Sequence, residues 1–357
     1  MHDMKNKTML FLRPIAICLL GLLCWLAELQ AQETAMGAAS FIRLGSSARA
    51  IAMGRAFTAL AGEDAVGMFW NPAGIALASK SRMGITDRLM EGGGLGMDGA
   101  FSFVSGGYSR PIGRKMAAGL GVMYYGVEGI EQYDTRAMHL GDFSDNELLL
   151  LLSLARLEGP ISLGINVKFI RQEFKGLEND PQYGNLGAPS ASGVGFDVGL
   201  ITHFWRPLRI GVMLRGKTDL RNDRVPTSAS VGLAYEKRLR LGREAPRVVL
   251  AVDLEQVKTK PIRLHMGLGL ERLIAFRDIE FSIRGGRNNY FLEQRIGDIV
   301  KGDFKFKLEG EDQDLLNESN ARWGMGIGIK HSGLGLDYTF TRGVLHDPHY
   351  LSLTYHY

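Results

Sequence analysis

From about residue 81 onward the chain keeps a period of two. Ile161, Leu163, Ile165, Val167 and Phe169 are apolar, while Ser162, Gly164, Asn166 and Lys168 between them are polar or small. Ile262, Leu264, Met266, Leu268 and Leu270 alternate with Arg263, His265, Gly267, Gly269 and Glu271. Trp323, Met325, Ile327 and Ile329 alternate with Gly324, Gly326, Gly328 and Lys330. Such alternation predicts strands with one apolar face and one polar or small face. No long segment carries a helical period. Leu148 to Leu152 is the one ambiguous run, and it is too short for a membrane helix. The pattern predicts fourteen strands, beginning near Ser81, Met97, Met116, Asn146, Ile161, Gly193, Leu208, Thr227, Arg247, Ile262, Ile279, Trp323, Leu334 and His349.

An even strand count suits a bacterial outer-membrane barrel, whose periplasmic turns are short and whose extracellular loops are longer. Connections after even-numbered strands tend to be short: Ile112 to Lys115, Gly159-Pro160, Arg206-Pro207, Ala275 to Asp278 and Ser332-Gly333. Several after odd-numbered strands are long: Glu131 to Asp145, Lys175 to Ser192 and Tyr290 to Arg322. Arg238 to Pro246 and Lys258 to Pro261 break the trend. A soluble β-sandwich or closed barrel shares the period of two. Three features favour the membrane. Apolar faces persist through nearly every strand, and aromatics recur near strand ends, at Tyr124, Phe204, Tyr235, Trp323 and Phe340, as interfacial girdles do. The chain also stops inside a strand, where Leu351, Leu353, Tyr355 and Tyr357 alternate with Ser352, Thr354 and His356. A terminal strand ending on an aromatic resembles the signal read by the outer-membrane assembly machinery.

One stretch does not share this rhythm. Phe41 to Ala78 is rich in Ala, Gly and Met, and ends in Trp70-Asn71-Pro72-Ala73-Gly74. It reads as a compact plug inside whatever the strands build. Asp64 is placed to cap a short apolar helix running toward Trp70, and Asn71 followed by Pro72 repeats the device. A transmembrane helix over Ala48 to Ala61 is disfavoured by Arg49 and Arg55 within so short a run.

The N-terminus supplies a compartment. Lys5, Lys7 and Arg13 precede an apolar run from Ile15 to Ala27, and Leu29-Gln30-Ala31 offers a small residue before a cut. That is the layout of a secretory signal peptide, too short to span a bilayer. Both cysteines, Cys18 and Cys24, lie within it, so the mature chain carries no thiol or disulfide framework. The expected organisation is a signal peptide over 1–31, a plug over 32–80 and a barrel over 81–357. Net charge is +4 with the basic residues dispersed, which excludes a nucleic-acid reader. Charged residues are 22%, which disfavours disorder. The 46 glycines in 357 residues are nearly twice the usual share of about 7%, and clearance for a plug gives them a purpose.

The pattern Leu44-Gly45, Ala48-Arg49-Ala50, Ala52-Met53-Gly54, Ala56-Phe57, Ala59, Asp64-Ala65 and Phe69-Trp70-Asn71-Pro72-Ala73-Gly74 resembles the PorV/PorQ family. That family belongs to a wider group of FadL-like outer-membrane proteins sharing an Asn-Pro-Ala-Gly element near the N-terminus. The motif residues are Arg49, Met53, Gly54, Asp64, Trp70, Asn71, Pro72, Ala73 and Gly74; relatives often carry a second glycine where Arg55 stands. The resemblance implies a fourteen-stranded barrel with its lumen partly filled by the N-terminal segment. It implies type IX protein secretion, with secretion components and cargo bearing a C-terminal signal domain as partners. It also implies a second reading, FadL-like passage of hydrophobic compounds through a lateral opening in the wall. A structural or adhesive barrel is a third.

Lumen-facing positions carry both signs: Lys168, Asp197, Arg209, Arg215, Asp253, Glu255, Arg263, Glu271, Glu280 and Arg284. Charges in a narrow plugged lumen are expected to pair and so hold plug to wall, because pairing offsets their desolvation. His346, Asp347, His349 and His356 match no metal motif, and the acidic run from Glu309 to Glu318 lacks the spacing of a calcium loop. No nucleophile elbow, phosphate-cradling loop or dinucleotide fingerprint occurs. The expectation is an all-β outer-membrane barrel with no cofactor, no metal and no catalytic centre, in contact with outer-membrane lipids and the assembly machinery.

Overall fold

A closed sheet with an apolar outer face and a filled lumen imposes a period of two on every strand. The computed structural model has that architecture. It describes residues 39–89, 101–134, 136–176, 190–205, 207–220, 223–239, 246–257, 262–276, 279–292, 308–309, 323–342 and 347–357. The leader with Cys18 and Cys24, residues 310–318 of the acidic run, and His346 lie outside these.

Fourteen strands form the wall: β1 (Arg82–Leu89), β2 (Phe101–Ile112), β3 (Met116–Tyr133), β4 (His139–Glu158), β5 (Ile161–Lys175), β6 (Ser190–Trp205) and β7 (Leu208–Arg215), then β8 (Ser228–Arg238), β9 (Arg247–Val257), β10 (Ile262–Phe276), β11 (Ile279–Leu292), β12 (Trp323–His331), β13 (Leu334–Arg342) and β14 (His349–His356). Each pairs antiparallel with its chain neighbours, and β1 closes on β14 with Arg82 opposite His356 and Leu89 opposite His349. Closure leaves no unpaired edge. A small ribbon, Thr218–Leu220 with Asp223–Val225, stands between β7 and β8.

The described strand starts agree closely with the alternation, except at β4; Met97, where the second strand is expected to begin, lies outside the described residues. Asn146 is where the pattern begins, yet the strand begins at His139. Beyond Val127 the β3–β4 pair continues as a polar ribbon with register shifts at Val127/Ile130 and Gln132/Tyr133. Each shift inverts the facing of the residues beyond it, so this ribbon carries no steady period. The ambiguous leucine run lies in β4 and alternates: Leu149 and Leu151 are 1% and 2% exposed, Leu150 and Leu152 39% and 61%.

All connections after even-numbered strands lie at one end of the barrel, with Ser81 and Tyr357, and most are two or three residues long. We call this the terminus end and the opposite one the loop end. Of the two connections that break the trend, residues 240–245 of Arg238 to Pro246 and all of Lys258 to Pro261 lie outside the described residues; the first joins strands that end at the terminus end and the second strands that end at the loop end. Outside, Leu150, Leu152, Leu154, Leu163, Ile165, Val167, Phe196 and Val198 belong to an exposed apolar belt. Tyr124, Trp323 and Phe340 stand toward the loop end, the last two edge to face at 5.7 Å. Tyr235, Tyr355 and Tyr357 stand toward the terminus end. The side chain of Phe204 lies outside the described set.

The segment from residue 39 to 80 lies within the lumen. It comprises α1 (Ala48–Ala52) and 3₁₀ turns at Ser40–Leu44, Ala61–Glu63, Gly67–Phe69 and Pro72–Leu77. No helix among the described residues is long and apolar enough to cross a membrane.

Candidate functional site

The lumen is the candidate site, and its first component is the plug. Ser47 caps α1, its Oγ accepting the Ala50 N–H at 3.3 Å and donating to Asp64. The Ser47 N–H donates to Thr86 of β1 at 3.2 Å, and the Ala48 N–H to Ser352 of β14 at 2.7 Å. Thr339 of β13 donates to the Ala48 carbonyl at 2.6 Å. These bonds satisfy backbone groups that a five-residue helix cannot satisfy itself. The Trp70 indole donates to the Ser46 carbonyl at 2.7 Å and meets Phe57 edge-on.

Asp64 departs from its expected role. It caps no helix toward Trp70; the 3₁₀ turn Gly67–Phe69 has Val66 at its cap position, without a side-chain bond. Instead Asp64 Oδ1 accepts the Val66 N–H at 3.1 Å, and the other oxygen holds Ser47. A carboxylate that bonds two residues on forms a local turn, which competes with helix formation. Asn71 does cap: its Oδ1 accepts the Ala73 N–H at 3.1 Å, with Pro72 at the first helical position. Its amide nitrogen reaches the carbonyls of Thr58, Leu200 and Val212 at 3.1, 3.1 and 3.2 Å. Ser162 and Asn166 of β5 donate to the Ala73 and Met68 carbonyls, and Asp253 of β9 accepts from the Phe57 and Thr58 N–H groups.

Gly54 and Arg55 both have positive φ, +60° and +68°. Glycine adopts this freely; arginine does so at a cost of order 1 kcal/mol. Arg55 donates to the Arg43 carbonyl and stacks over Trp70 at 5.6 Å, which offsets that cost. The glycine surplus has its explanation in the wall. A Cβ on Gly199 would lie 2.0 Å from Asn71 Oδ1, and one on Gly286 would lie 2.1 Å from the Gly54 nitrogen. Gly164, Gly211 and Gly267 meet the backbone of Ala73, Thr58 and Met53 as closely. Within the plug, Gly74 lies against the Ala61–Gly62 peptide, where a Cβ would come within 2.6 Å.

Charge pairing fixes the terminus-end side of the plug. Arg49 binds Glu63 and, at 3.1 Å, Glu271 of β10. Glu63 also accepts from Arg209 of β7 at 3.0 Å and Arg247 of β9 at 2.8 Å; both arginines bind Glu236 of β8 as well. Arg284 of β11 binds Glu271 and Asp337. Burial pushes the Glu63 carboxyl up, but Arg49, Arg247 and Arg209 outweigh it and hold it well below the usual range. Of the lumen charges singled out by sequence, Lys168 pairs with Asp197 at 2.6 Å, Arg215 with Glu255 at 3.8 Å and Glu280 with Arg272 at 3.0 Å. Glu63 itself escaped notice, although a carboxylate in so apolar a stretch was a usable signal.

Two further features make the lumen asymmetric. Toward the loop end, β2–β5 present an apolar inner face of Phe103, Met123, Leu149 and Ile170, with Phe101 and Tyr125 edge to face at 5.5 Å. Phe41 of the plug segment packs against Tyr125 at 6.1 Å. Toward the terminus end lies a cavity of about 650 Å³, floored by Arg49, Glu63 and Asp64. Its lining holds nine Lys and Arg side chains against five carboxylates. Among the described residues no cluster of His, Cys, Asp and Glu is placed to hold a metal. His349 hydrogen-bonds Tyr338. The terminal-strand residues Leu351, Leu353, Tyr355 and Tyr357 face outward and are exposed.

Among the described residues the wall has no gap of the kind a lateral opening would need. Each of the fourteen wall strands pairs on both sides, and β2 with β3 runs unbroken from Phe101↔Val127 to Ile112↔Met116. Register shifts on the wall fall between β10 and β11, at Leu264/Met266 and Leu270/Ile274, and between β6 and β7, at Thr202/Trp205, besides those of the β3–β4 ribbon.

No family model matches the sequence, and no curated protein does either. Solved structures do. The Ralstonia pickettii toluene transporter TbuX superposes with a TM-score of 0.57 at 15% identity, covering 88% of this chain and 99% of that one. The deltaS2S3 mutant of TodX, a monoaromatic hydrocarbon channel, superposes at 0.54 and 12% identity, covering 87% and 98%. The likeness is one of fold. The chain shares with both a closed antiparallel barrel fold, here of fourteen strands; PorV/PorQ membership is not shown by either likeness.

Proposed function

We propose that this barrel sits in an outer membrane, with its short turns toward the periplasm, and passes hydrophobic compounds across it. The observation that carries this reading is the pairing of an apolar inner sector, Phe101, Phe103, Met123, Tyr125, Leu149 and Ile170, with a plug that seals the lumen. A water-filled porin would instead have an open polar interior. The fold shared with two hydrocarbon channels supports the same reading. The described arrangement is closed, so passage requires the plug or the β10–β11 ladder to rearrange. Type IX secretion rests on the motif around Asn71 alone, and no feature of the wall or plug favours it. The outward aromatics Tyr355 and Tyr357 on β14 suit recognition by the assembly machinery.

The test is uptake of radiolabelled toluene by cells carrying the barrel in the outer membrane, against cells with an empty vector. Uptake several-fold faster is expected. Equal rates, with the barrel verified as folded and present at the surface, would overturn the proposal.

A further inference from the structure

The cavity at the terminus end is more cationic than the plug clamp requires. Five guanidinium groups there are matched: Arg49, Arg209, Arg247, Arg272 and Arg284 each lie within ion-pair distance of a carboxylate. Four further cations line the same space without an ion pair among the described residues: Lys80, Arg82, Arg238 and Lys330. Arg82 donates to the carbonyls of Gly62 and Asp64, at 2.6 and 3.5 Å, so its place is fixed without an ion pair among the described residues.

The surroundings leave room for a ligand. Lys330 lies opposite Glu280 on β11 and Gly335 on β13, and Gly335 lies opposite Thr354 on β14, two residue pairs from Arg82 and His356 on the closing seam. Gly328, Gly333 and Gly335 line the same cavity between the cations. A cavity of about 650 Å³ falls within the usual range for small-molecule sites, roughly 300–1,000 Å³. Like charges gathered in a concave, low-dielectric wall focus their field and raise the local concentration of counter-ions. A lining with nine Lys and Arg against five carboxylates carries net positive charge, and its internal repulsion is relieved by an anion with more than one charge.

We propose that this cavity is a binding site for a soluble, multiply charged small anion bearing carboxylate or phosphate groups. Lys80, Lys330 and Arg82 supply the charge, and the planar guanidinium adds two-pronged hydrogen bonding to an oxyanion. The cavity lies inside the ring of strands, away from the lipid belt, which favours a soluble anion over a lipid head group. The proposal rests on the cavity alone and is independent of hydrophobic transport.

The test is isothermal titration calorimetry of the full chain in non-ionic detergent, with inorganic pyrophosphate and with citrate as probes. Saturable binding is expected, weakening as salt rises because screening acts on every cation involved. The Lys80→Gln/Lys330→Gln double variant changes two residues without an ion pair among the described residues and is expected to lose at least tenfold in affinity. Arg82→Gln is expected to lose as much, read alongside its thermal midpoint because Arg82 also holds the plug. No binding of either probe at low salt would overturn the proposal, as would unchanged affinity in the double variant. Binding confined to anionic phospholipid micelles would overturn it too.

Discussion

Asn71 Oδ1 occupies the space that a side chain on Gly199 would need, 2.0 Å from the position of its Cβ. Wall and plug are thus fitted at one point by the absence of a methyl group. Replacing Gly199 by Ala forces either the Asn71 amide or β6 to move, and overpacking of this kind costs about 1–3 kcal/mol. The expected readouts are a lower thermal midpoint and faster protease cleavage of the plug. Gly106→Ala is the control, since its Cβ would meet nothing nearer than 3.5 Å. Equal behaviour of the two variants would contradict the fit.

Asn71→Ala removes a helix cap and abandons three carbonyls at once. The cap alone is worth about 1 kcal/mol and each buried unsatisfied carbonyl about 1–3 kcal/mol. A loss of several kcal/mol is expected. Asn71→Asp should fare no better, because a carboxylate keeps the cap but cannot donate to the carbonyls of Leu200 and Val212. Calorimetric melting in detergent separates this outcome from a capping role alone, under which Asn71→Asp would retain most of the stability.

The Glu63 clamp makes the protein sensitive to acid. The folded-state pKa of Glu63 is depressed, so its stabilising contribution is complete above the unfolded value, about 4.3, and is lost as pH falls from there through the folded value. Thermal midpoints measured between about pH 6 and pH 3 should fall below about pH 4.5 in the wild type and fall less in Glu63→Gln. At neutral pH that variant should be destabilised by about 3 kcal/mol or more, because it leaves Arg49 and its neighbours without their shared anion. Parallel pH curves would remove Glu63 from the clamp.

Leu152 is 61% exposed and lies mid-belt, with Leu150 and Leu154 on either side of it along the same face of β4. Leu152→Arg puts a charge against hydrocarbon and is expected to cost about 2–4 kcal/mol. The measurement is the fraction of heat-modifiable, folded barrel in isolated outer membranes. Leu151→Arg, on the inner face, would fail for a different reason, by collision with packed side chains; it should therefore disrupt folding in detergent as well as in lipid.

The strands were legible because a wall with two unlike faces writes its period into every residue. That is why most strand starts fall within three residues of the alternation, and why β4 slips furthest, past the bulges at Val127 and Gln132. The plug was legible by contrast, as the stretch lacking that period. Its internal bonds were only half legible. Asn71 followed by Pro72 announces a cap locally, whereas Ser47, Glu63 and Arg82 acquire their roles from partners distant in sequence, in Asp64, Arg247 and Gly62. The cavity was not legible at all, since Lys80, Arg238 and Lys330 become neighbours only when the sheet curls shut.

The N-terminal end of α1 has a consequence for how the molecule is made. Ser47 and Ala48 donate to Thr86 on the first strand and to Ser352 on the last, and those two hydroxyls are themselves 2.8 Å apart across the final seam. The last pair of strands therefore meets over a backbone that belongs to neither. Zipping an empty cylinder first would leave these two hydroxyls without their plug partners at closure, so the enclosed segment is expected to be in place as the seam forms.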